Sequence, residues 1–221
     1  MSSNQTAPSA PADERGAVTM APIERLIFFS DAAVAIALTL LILPLMDAVG
    51  EAAKQHQTVA EYLRDNANAL GAFALSFVLI ARYWRSHHRL FAGVEHEVPG
   101  LFWLNMAWLM AVVLLPVATA STGALPTDAV QLSVYIGIMI AIAALLTAMT
   151  MLLRRHPEAW ADGADLPAEK VNNSLLLTVM LIVALILALT IPGLNYWALL
   201  VLLASRPVGL LLGWARHTRS S

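Results

Sequence analysis

Residues 23–46 form an apolar run, IERLIFFSDAAVAIALTLLILPLM, that is long enough to cross a bilayer as a helix. A helical span needs about 20 mostly apolar residues to cover roughly 30 Å of hydrocarbon. The run nevertheless opens with Arg25, Ser30 and Asp31. Because a carboxylate inside a span is costly and usually serves a buried network or an ion pathway, Asp31 is a candidate functional residue.

The composition favours an integral membrane protein. Of the 221 residues, 59% are hydrophobic and only 13% are charged, against about 25% charged in an average soluble domain. The candidate helical spans are 23–46, 66–82, 100–120, 129–153, 173–191 and 195–214. They predict an all-α, six-span membrane domain over residues 23–214. A disordered tail rich in Ser, Ala and Pro precedes it at 1–22, and a short tail follows at 215–221.

The basic residues alternate between the two ends of these spans. All of them except Lys54 and Arg64 lie before the first span, between the second and third, between the fourth and fifth, or near the C-terminus. Since cytoplasmic flanks carry the excess of Lys and Arg, both termini are predicted to be cytoplasmic, in a protein of the cell (inner) membrane. A net charge of −2 argues against nucleic-acid binding, which requires a basic surface.

Several kinds of chemistry are excluded or disfavoured. The chain has no Cys, so thiolate metal sites and thiol nucleophiles are excluded. No P-loop, dinucleotide turn, HExxH or GxSxG motif occurs, so we expect no enzyme and no cofactor. His87 and His88, with His96 beyond, offer a weak metal hypothesis. Adjacent helical residues point about 100° apart, so anchoring at headgroup depth is the better interpretation.

The first span has two unlike faces. On a helix that turns 100° per residue, Ile36, Leu40 and Leu43 fall within about 60° of one another, and Thr39 borders them. The polar pair at 30–31 lies more than about 100° from Ile36. One face could therefore meet its symmetry mates around an axis while the other bonds within its own bundle. Spacing alone leaves ordinary packing or lipid contact open for the apolar stripe.

The motif RxxxFSD at 25–31, followed by AAVAIALTLLIL, resembles the first helix of the endosomal and lysosomal potassium channel family, transmembrane protein 175. The resemblance continues in YWRSHHRLF at 83–91 and in FWLNMAWLMAVVLLPVATA at 102–120. It implies a potassium-permeable channel without a TVGYG filter, and this sequence contains no such segment. Bacterial members are similar in being homotetramers of six-span subunits, with each first helix lining a central pore.

The same resemblance implies roles for single residues. The hydrophobic constriction falls on Ile36, Leu40 and Leu43, and the threonine associated with potassium preference is Thr39. A polar network is implied to hold the first helix against the second and third. Its candidate members are Arg25, Phe29, Ser30, Asp31, Trp84, His87 and Asn105. The implied partners are potassium ions, the lipid bilayer and further copies of the chain, and no metal is expected beyond the permeating ion.

Two other classes of function stay open at this level. A secondary transporter would favour internal repeats, broken helices and acids near the midplane, whereas Asp31 lies near one end of its span and FSD occurs once. A structural membrane protein without transport activity is the third class. Purified protein in liposomes under a potassium gradient separates all three, because a channel gives unitary currents and a transporter gives saturable exchange.

Overall fold

The computed structural model describes residues 22–125, 128–161 and 168–191, most of which are helical. The helices of this part are α1 (Pro22–Leu40), α2 (Leu43–Lys54), α3 (Val59–Asp65), α4 (Ala67–Phe91), α5 (Leu101–Ala124), α6 (Ala129–Arg155) and α7 (Ala168–Thr190). The sixth candidate span at 195–214 lies outside the described residues, as do the predicted tails except for Pro22.

Four segments are long and apolar enough to cross a membrane. They are Pro22–Lys54, which joins α1 and α2, then Ala67–Phe91, Leu101–Thr122 and Ala129–Arg155. A shorter apolar helix covers Ser174–Thr190. The described residues therefore contain a helical membrane domain, in agreement with the class of fold that the sequence predicts.

The first span differs from the prediction of one continuous helix over 23–46. It is interrupted by a turn at 41–42, so α1 ends at Leu40. The cause is Pro44, which has no N–H to donate to the carbonyl four residues earlier and whose ring collides with that carbonyl. Residues 47–65, which separate the first two candidate spans, belong largely to α2 and α3.

The second span is longer than the predicted 66–82, because α4 continues to Phe91. The predicted span stops at Arg82, directly before YWRSHHRLF, but the helix does not. Tyr83, His87 and Leu90 are spaced four and three residues apart and are all buried. Helical residues at this spacing share one face, so the charged residues between them point outward while α4 keeps its packing face.

The helices pack mainly with their neighbours along the chain. α5 packs against α6 and α4, α6 packs against α7, and α1 lies across α5 and α4. The largest fully buried side chains include Trp108, Tyr83, Tyr135 and Phe91. In a bilayer, close packing and interhelical hydrogen bonds hold helices together, so these contacts fix how α1 is placed on the bundle.

The two connections at the Phe91 end of α4 are tied to each other. Val94 forms an antiparallel bridge with Trp160, and the backbone N–H of Glu95 donates to the carbonyl of Ala159 at 2.9 Å. The indole N–H of Trp160 donates to the carbonyl of Leu153 at 3.1 Å, near the end of α6. The α4–α5 connection and the described residues 156–161 after α6 are therefore packed together.

At the opposite end, α3 begins with a capping box. The Thr58 hydroxyl accepts from the backbone N–H of Glu61, and the Glu61 carboxylate accepts from the backbone N–H of Thr58 at 2.7 Å. This backbone hydrogen bond, together with the one from the Thr58 hydroxyl, lowers the pKa of the Glu61 carboxyl below its ordinary value. Such reciprocal bonds satisfy donors that a helix start leaves unpaired.

Candidate functional site

Helix α1 presents one face to its own subunit. Ile23, Leu26, Ser30, Val34 and Ala37 are buried, and they follow the three- and four-residue spacing of a single helix face. This face packs against α5 and α4. Small Ala37 and polar Ser30 allow close approach and hydrogen bonding, which are the usual means of helix association in a bilayer.

The opposite face of α1 is left exposed by the described residues of the subunit. Phe29 is 58% exposed, Ile36 is 60% exposed and Leu40 is 38% exposed. Arg25 and Thr39 are exposed as well. Ile36 and Leu40 therefore lie together on an outward face. The Arg25 guanidinium lies at the start of this face and the Thr39 hydroxyl near its end.

Leu43 differs from its two predicted companions. It is 49% exposed, but it is the first residue of α2, beyond the turn that ends α1. The angle calculated for a continuous helix therefore does not apply to Leu43. Its direction depends instead on the geometry of the turn, which the proximity of Pro44 sets.

The Thr39 hydroxyl donates to the carbonyl of Ile36 at 2.7 Å, three residues earlier in the same helix. A hydroxyl has one proton and two lone pairs. Because the proton is used within the helix, the oxygen presents its lone pairs outward. Thr39 can therefore act as an acceptor, and so as a ligand for a cation, on the exposed face.

A chain of hydrogen bonds joins three helices behind this face. Ser30 on α1 donates to the carbonyl of Leu26 at 2.8 Å and accepts from the amide Nδ2 of Asn105 on α5 at 2.8 Å. The Asn105 Oδ1 lies 2.7 Å from Nε2 of His87 on α4. Ser30, Asn105 and His87 are each completely buried.

The direction of these bonds shows which ring nitrogen of His87 donates. The Ser30 proton goes to Leu26, so Asn105 must donate its N–H₂ to Ser30 and turn its oxygen toward His87. Oxygen accepts only, so the Nε2 of His87 carries a proton and donates it to Asn105. Among the described residues nothing bonds to His87 Nδ1 or to Trp108 Nε1.

Aromatic rings hold the imidazole in place. The His87 ring stacks on Trp108 with centroids 4.3 Å apart and an interplanar angle of 16°, and Phe91 lies 4.5 Å away on a tilted plane. Trp108 is fully buried and lies one helical turn after Asn105 on α5. Stacked aromatic pairs at this separation are stabilising beyond their buried area.

Asp31 makes a separate contact at the edge of α1. Its Oδ1 accepts from the indole N–H of Trp84 on α4 at 2.7 Å, and the Trp84 ring lies 5.7 Å from that of His88. Asp31 is half-buried and Trp84 is 38% exposed. Asp31 therefore fastens α1 to α4 through this hydrogen bond.

The structure therefore brings together five of the predicted network residues in two groups. Ser30 lies with His87 and Asn105, and Asp31 lies with Trp84. It does not bring the other two into either group. Phe29 points to the exposed face. Arg25, also exposed, forms no ion pair with any residue in the described ranges.

A second polar cluster was not predicted from the sequence. The Ser76 hydroxyl on α4 lies 2.8 Å from the Tyr135 hydroxyl on α6, and the Thr119 hydroxyl on α5 lies 2.8 Å from Ser76. Single hydroxyl residues are common in apolar spans, so their positions carried no distinctive signal. Trp108 was also missed, although its three-residue distance from Asn105 places both on one helix face.

The histidine-rich end of α4 offers no metal site within the described part of the chain. There, no group of three or more His, Asp or Glu side chains is arranged to hold a metal ion. His87 is engaged by Asn105 and His88 by the Trp84 ring. In this region His87 bonds to a neighbouring helix, and His88 packs on a ring of its own helix.

These features define a class of protein: a helical membrane protein whose first span carries an outward apolar face and a buried polar anchor. Residues 25–116 match the family described as Endosomal/lysosomal potassium channel TMEM175. A potassium channel of Streptomyces collinus is 32% identical over 151 residues, covering 66% of this chain and 71% of the relative. The chain belongs to the TMEM175 family, which confirms the assignment made from the sequence motifs.

Two further comparisons agree with this membership. A potassium channel of Chamaesiphon minutus is 34% identical over 125 residues, which cover 52% of this chain and 58% of the relative. The crystal structure of a lysosomal potassium-selective channel TMEM175 homolog from Chamaesiphon minutus matches with a TM-score of 0.59 and 25% identity. That match covers 90% of this chain and 98% of the other. Family and relatives indicate a potassium channel, which is not a class of enzyme.

Proposed function

We propose that this chain is one subunit of a homotetrameric, potassium-permeable channel whose pore is lined by the exposed face of α1. In this proposal each subunit has six spans over 23–214, with 195–214 as the sixth, and both termini are cytoplasmic. The protein lies in the cell (inner) membrane and conducts potassium passively, without a TVGYG filter.

The observation that carries the proposal is the exposure of Ile36 and Leu40 on the face of α1 opposite Ser30. The apolar parts of Pro22–Lys54 and Ala67–Phe91 are only 28% and 22% buried, against 50% for each of the other two spans. Of these four spans, the two that contain α1 and α4 are therefore the least covered by the described residues. Further copies packing there would place four α1 helices around an axis.

The residues on this face favour a pore over plain lipid contact. A stripe that only meets lipid needs neither a guanidinium nor an outward hydroxyl oxygen, yet Arg25 and Thr39 share the face with Ile36. A ring of aliphatic side chains can close a pore by expelling water, and a small widening restores a hydrated path. We assign that constriction to Ile36 and Leu40, with Leu43 beyond the turn.

Thr39 supplies the polar element of the proposed constriction. Four hydroxyl oxygens near one level could replace part of the hydration shell of an ion, which methyl groups cannot do. Because each subunit contributes one such oxygen and no carbonyl cage, we expect modest preference for potassium over sodium. The polar groups around Ser30 and Asp31 serve to hold α1 in place.

The test is the substitution Ile36→Asn, measured as potassium flux in proteoliposomes. A polar side chain wets an apolar ring, so flux is expected to rise by about tenfold or more, equivalent to lowering a barrier by about 1.4 kcal/mol. Ile186→Asn is the matched control, because Ile186 is 55% exposed and lies on α7. Equal flux in wild type, Ile36→Asn and Ile186→Asn would contradict the pore assignment.

A further inference from the structure

A cavity lies behind the turn that ends α1. It has a volume of about 210 Å³ and is bounded by the turn, by the start of α4 and by the later part of α5. Leu41 and Leu45 line it and are buried, being 2% and 5% exposed. Leu40 and Leu43 do not line it and are exposed. The cavity therefore occupies the side of the turn away from the proposed constriction.

The volume selects the size of ligand. Drug-sized sites measure about 300–1,000 Å³, whereas an apolar cavity of about 150 Å³ can bind benzene. The cavity thus suits one small ring or short chain. Its walls are mostly apolar, with Phe73 and Leu45 among them, and Asn66 and Thr119 add polar atoms.

The polar atoms select the chemistry of the ligand. The Thr119 hydroxyl already bonds to Ser76 and to the carbonyl of Leu115, both at 2.8 Å. The Asn66 amide Nδ2 donates to the carbonyl of Tyr62 at 3.0 Å, which leaves its Oδ1 able to accept. Within the described residues the Thr119 oxygen receives no proton, so an apolar molecule with one hydroxyl can donate to Asn66 Oδ1 or to the Thr119 oxygen.

The helical ladder of backbone hydrogen bonds is interrupted at the turn beside the cavity. Pro44 cannot donate to the Leu40 carbonyl, and the backbone N–H of Ile42 reaches the Thr39 carbonyl at a long 3.3 Å. Interiors are close-packed, with few voids larger than a water molecule. For Leu40 to move away from a central axis, Leu41 must move toward the cavity, which offers the necessary room.

We propose that this cavity binds a small, mainly apolar molecule with one hydroxyl, and that its occupant blocks retraction of the turn and so inhibits conduction. The effect on conduction rests on the function proposed above, since it requires Leu40 to face the pore. Binding itself does not. A ligand there would act from behind the constriction, without entering the conduction path.

Benzyl alcohol is the probe, and potassium flux in proteoliposomes is the readout. Ala48→Leu and Ala69→Leu fill the cavity from α2 and α4, whereas Ala74→Leu adds the same atoms at an exposed position of α4. We expect benzyl alcohol to inhibit wild type and Ala74→Leu equally. Inhibition should be about tenfold weaker in both cavity-filling variants, whose basal flux should also fall.

Uniform sensitivity of all four proteins would overturn the proposal, because the alcohol would then act through the bilayer. Absence of inhibition in conducting wild type would overturn it too. If wild type and Ile36→Asn both carried no flux, the proposed function would fail separately. Thermal unfolding would then decide binding: benzyl alcohol should raise the Tm of wild type but not of Ala69→Leu, and an equal shift in both would overturn the site.

Discussion

The two halves of α1 are held in different ways. The first half is fastened to its neighbours by side chains, through Ser30 to Asn105 on α5 and through Asp31 to Trp84 on α4. From Ile36 to the end of the helix, no side-chain hydrogen bond to another helix occurs within the described residues; Thr39 bonds only to its own backbone. The second half ends in a proline-induced turn with a cavity behind it.

This difference shows which half of α1 can move in the proposed gating. Buried polar groups have few alternative partners, so the network around Asn105 has one satisfied arrangement. Aliphatic packing allows a range of small displacements at similar free energy. A fixed first half and an adjustable second half let the proposed constriction widen while α1 stays attached to its bundle.

The largest expected effect is on the anchored half, from Asn105→Ala. This change strands the His87 N–H in the interior, and an unsatisfied buried group costs about 1–3 kcal/mol. Ser30 loses the Asn105 donor but keeps its hydrogen bond to the Leu26 carbonyl. A loss of 1 kcal/mol lowers the Tm of a chain this size by about 2–4 °C, which thermal unfolding in detergent can measure. Asn68→Ala, at an exposed site of α4, is the control. An unchanged Tm for Asn105→Ala would show that the network does not anchor α1.

Asp31→Ala is expected to have the next largest effect. It removes the acceptor of the Trp84 indole, but Trp84 is partly exposed, so water can compensate in part. We expect reduced yield of the assembled oligomer on size-exclusion chromatography, while Asp31→Asn, which keeps an acceptor oxygen, should assemble more fully. Normal assembly and stability of Asp31→Ala would mean that the carboxylate serves conduction and not attachment.

The smallest effect is expected in the second half, from Thr39→Ala. The protein should remain folded, because the hydroxyl makes no contact with another helix. The ratio of potassium to sodium permeability, measured from reversal potentials, should fall by about two- to fivefold, which corresponds to roughly 0.4–1 kcal/mol. Thr39→Ser keeps the oxygen and should retain the ratio. A ratio unaffected by Thr39→Ala would remove this residue from the proposed selectivity.

Much of the site could be foreseen because it depends on helical periodicity. The separation of Ile36 and Leu40 from Ser30 follows from 100° per residue, and the structure has the same two faces. The pairing of partners did not follow. The sequence named Trp84, His87 and Asn105 together as candidates, but only the crossing of α1 over α4 and α5 assigns Trp84 to Asp31 and Asn105 to Ser30.

The length of an apolar run predicted the ends of the helices less well than the spacing of its buried residues. It ended the second span at 82, although the spacing of Tyr83, His87 and Leu90 continues the buried face of α4. It also carried the first helix past Leu40, since the apolar residues continue to Met46. The helix ends at Leu40 because Pro44 cannot donate to the carbonyl four residues before it. Both errors come from reading hydrophobicity alone, which reports the preferred solvent of a segment and not its backbone hydrogen bonds.

The sequence by itself determined that this chain is a helical membrane protein, which family it belongs to, and which face of α1 is apolar. These depend on composition, motifs and local geometry, all of which are properties of single segments. The tertiary structure decided the hydrogen-bond partners, the aromatic stack on His87 and the cavity behind the turn. Each of these requires side chains from different helices to meet at ångström distances, and helix packing alone sets those distances.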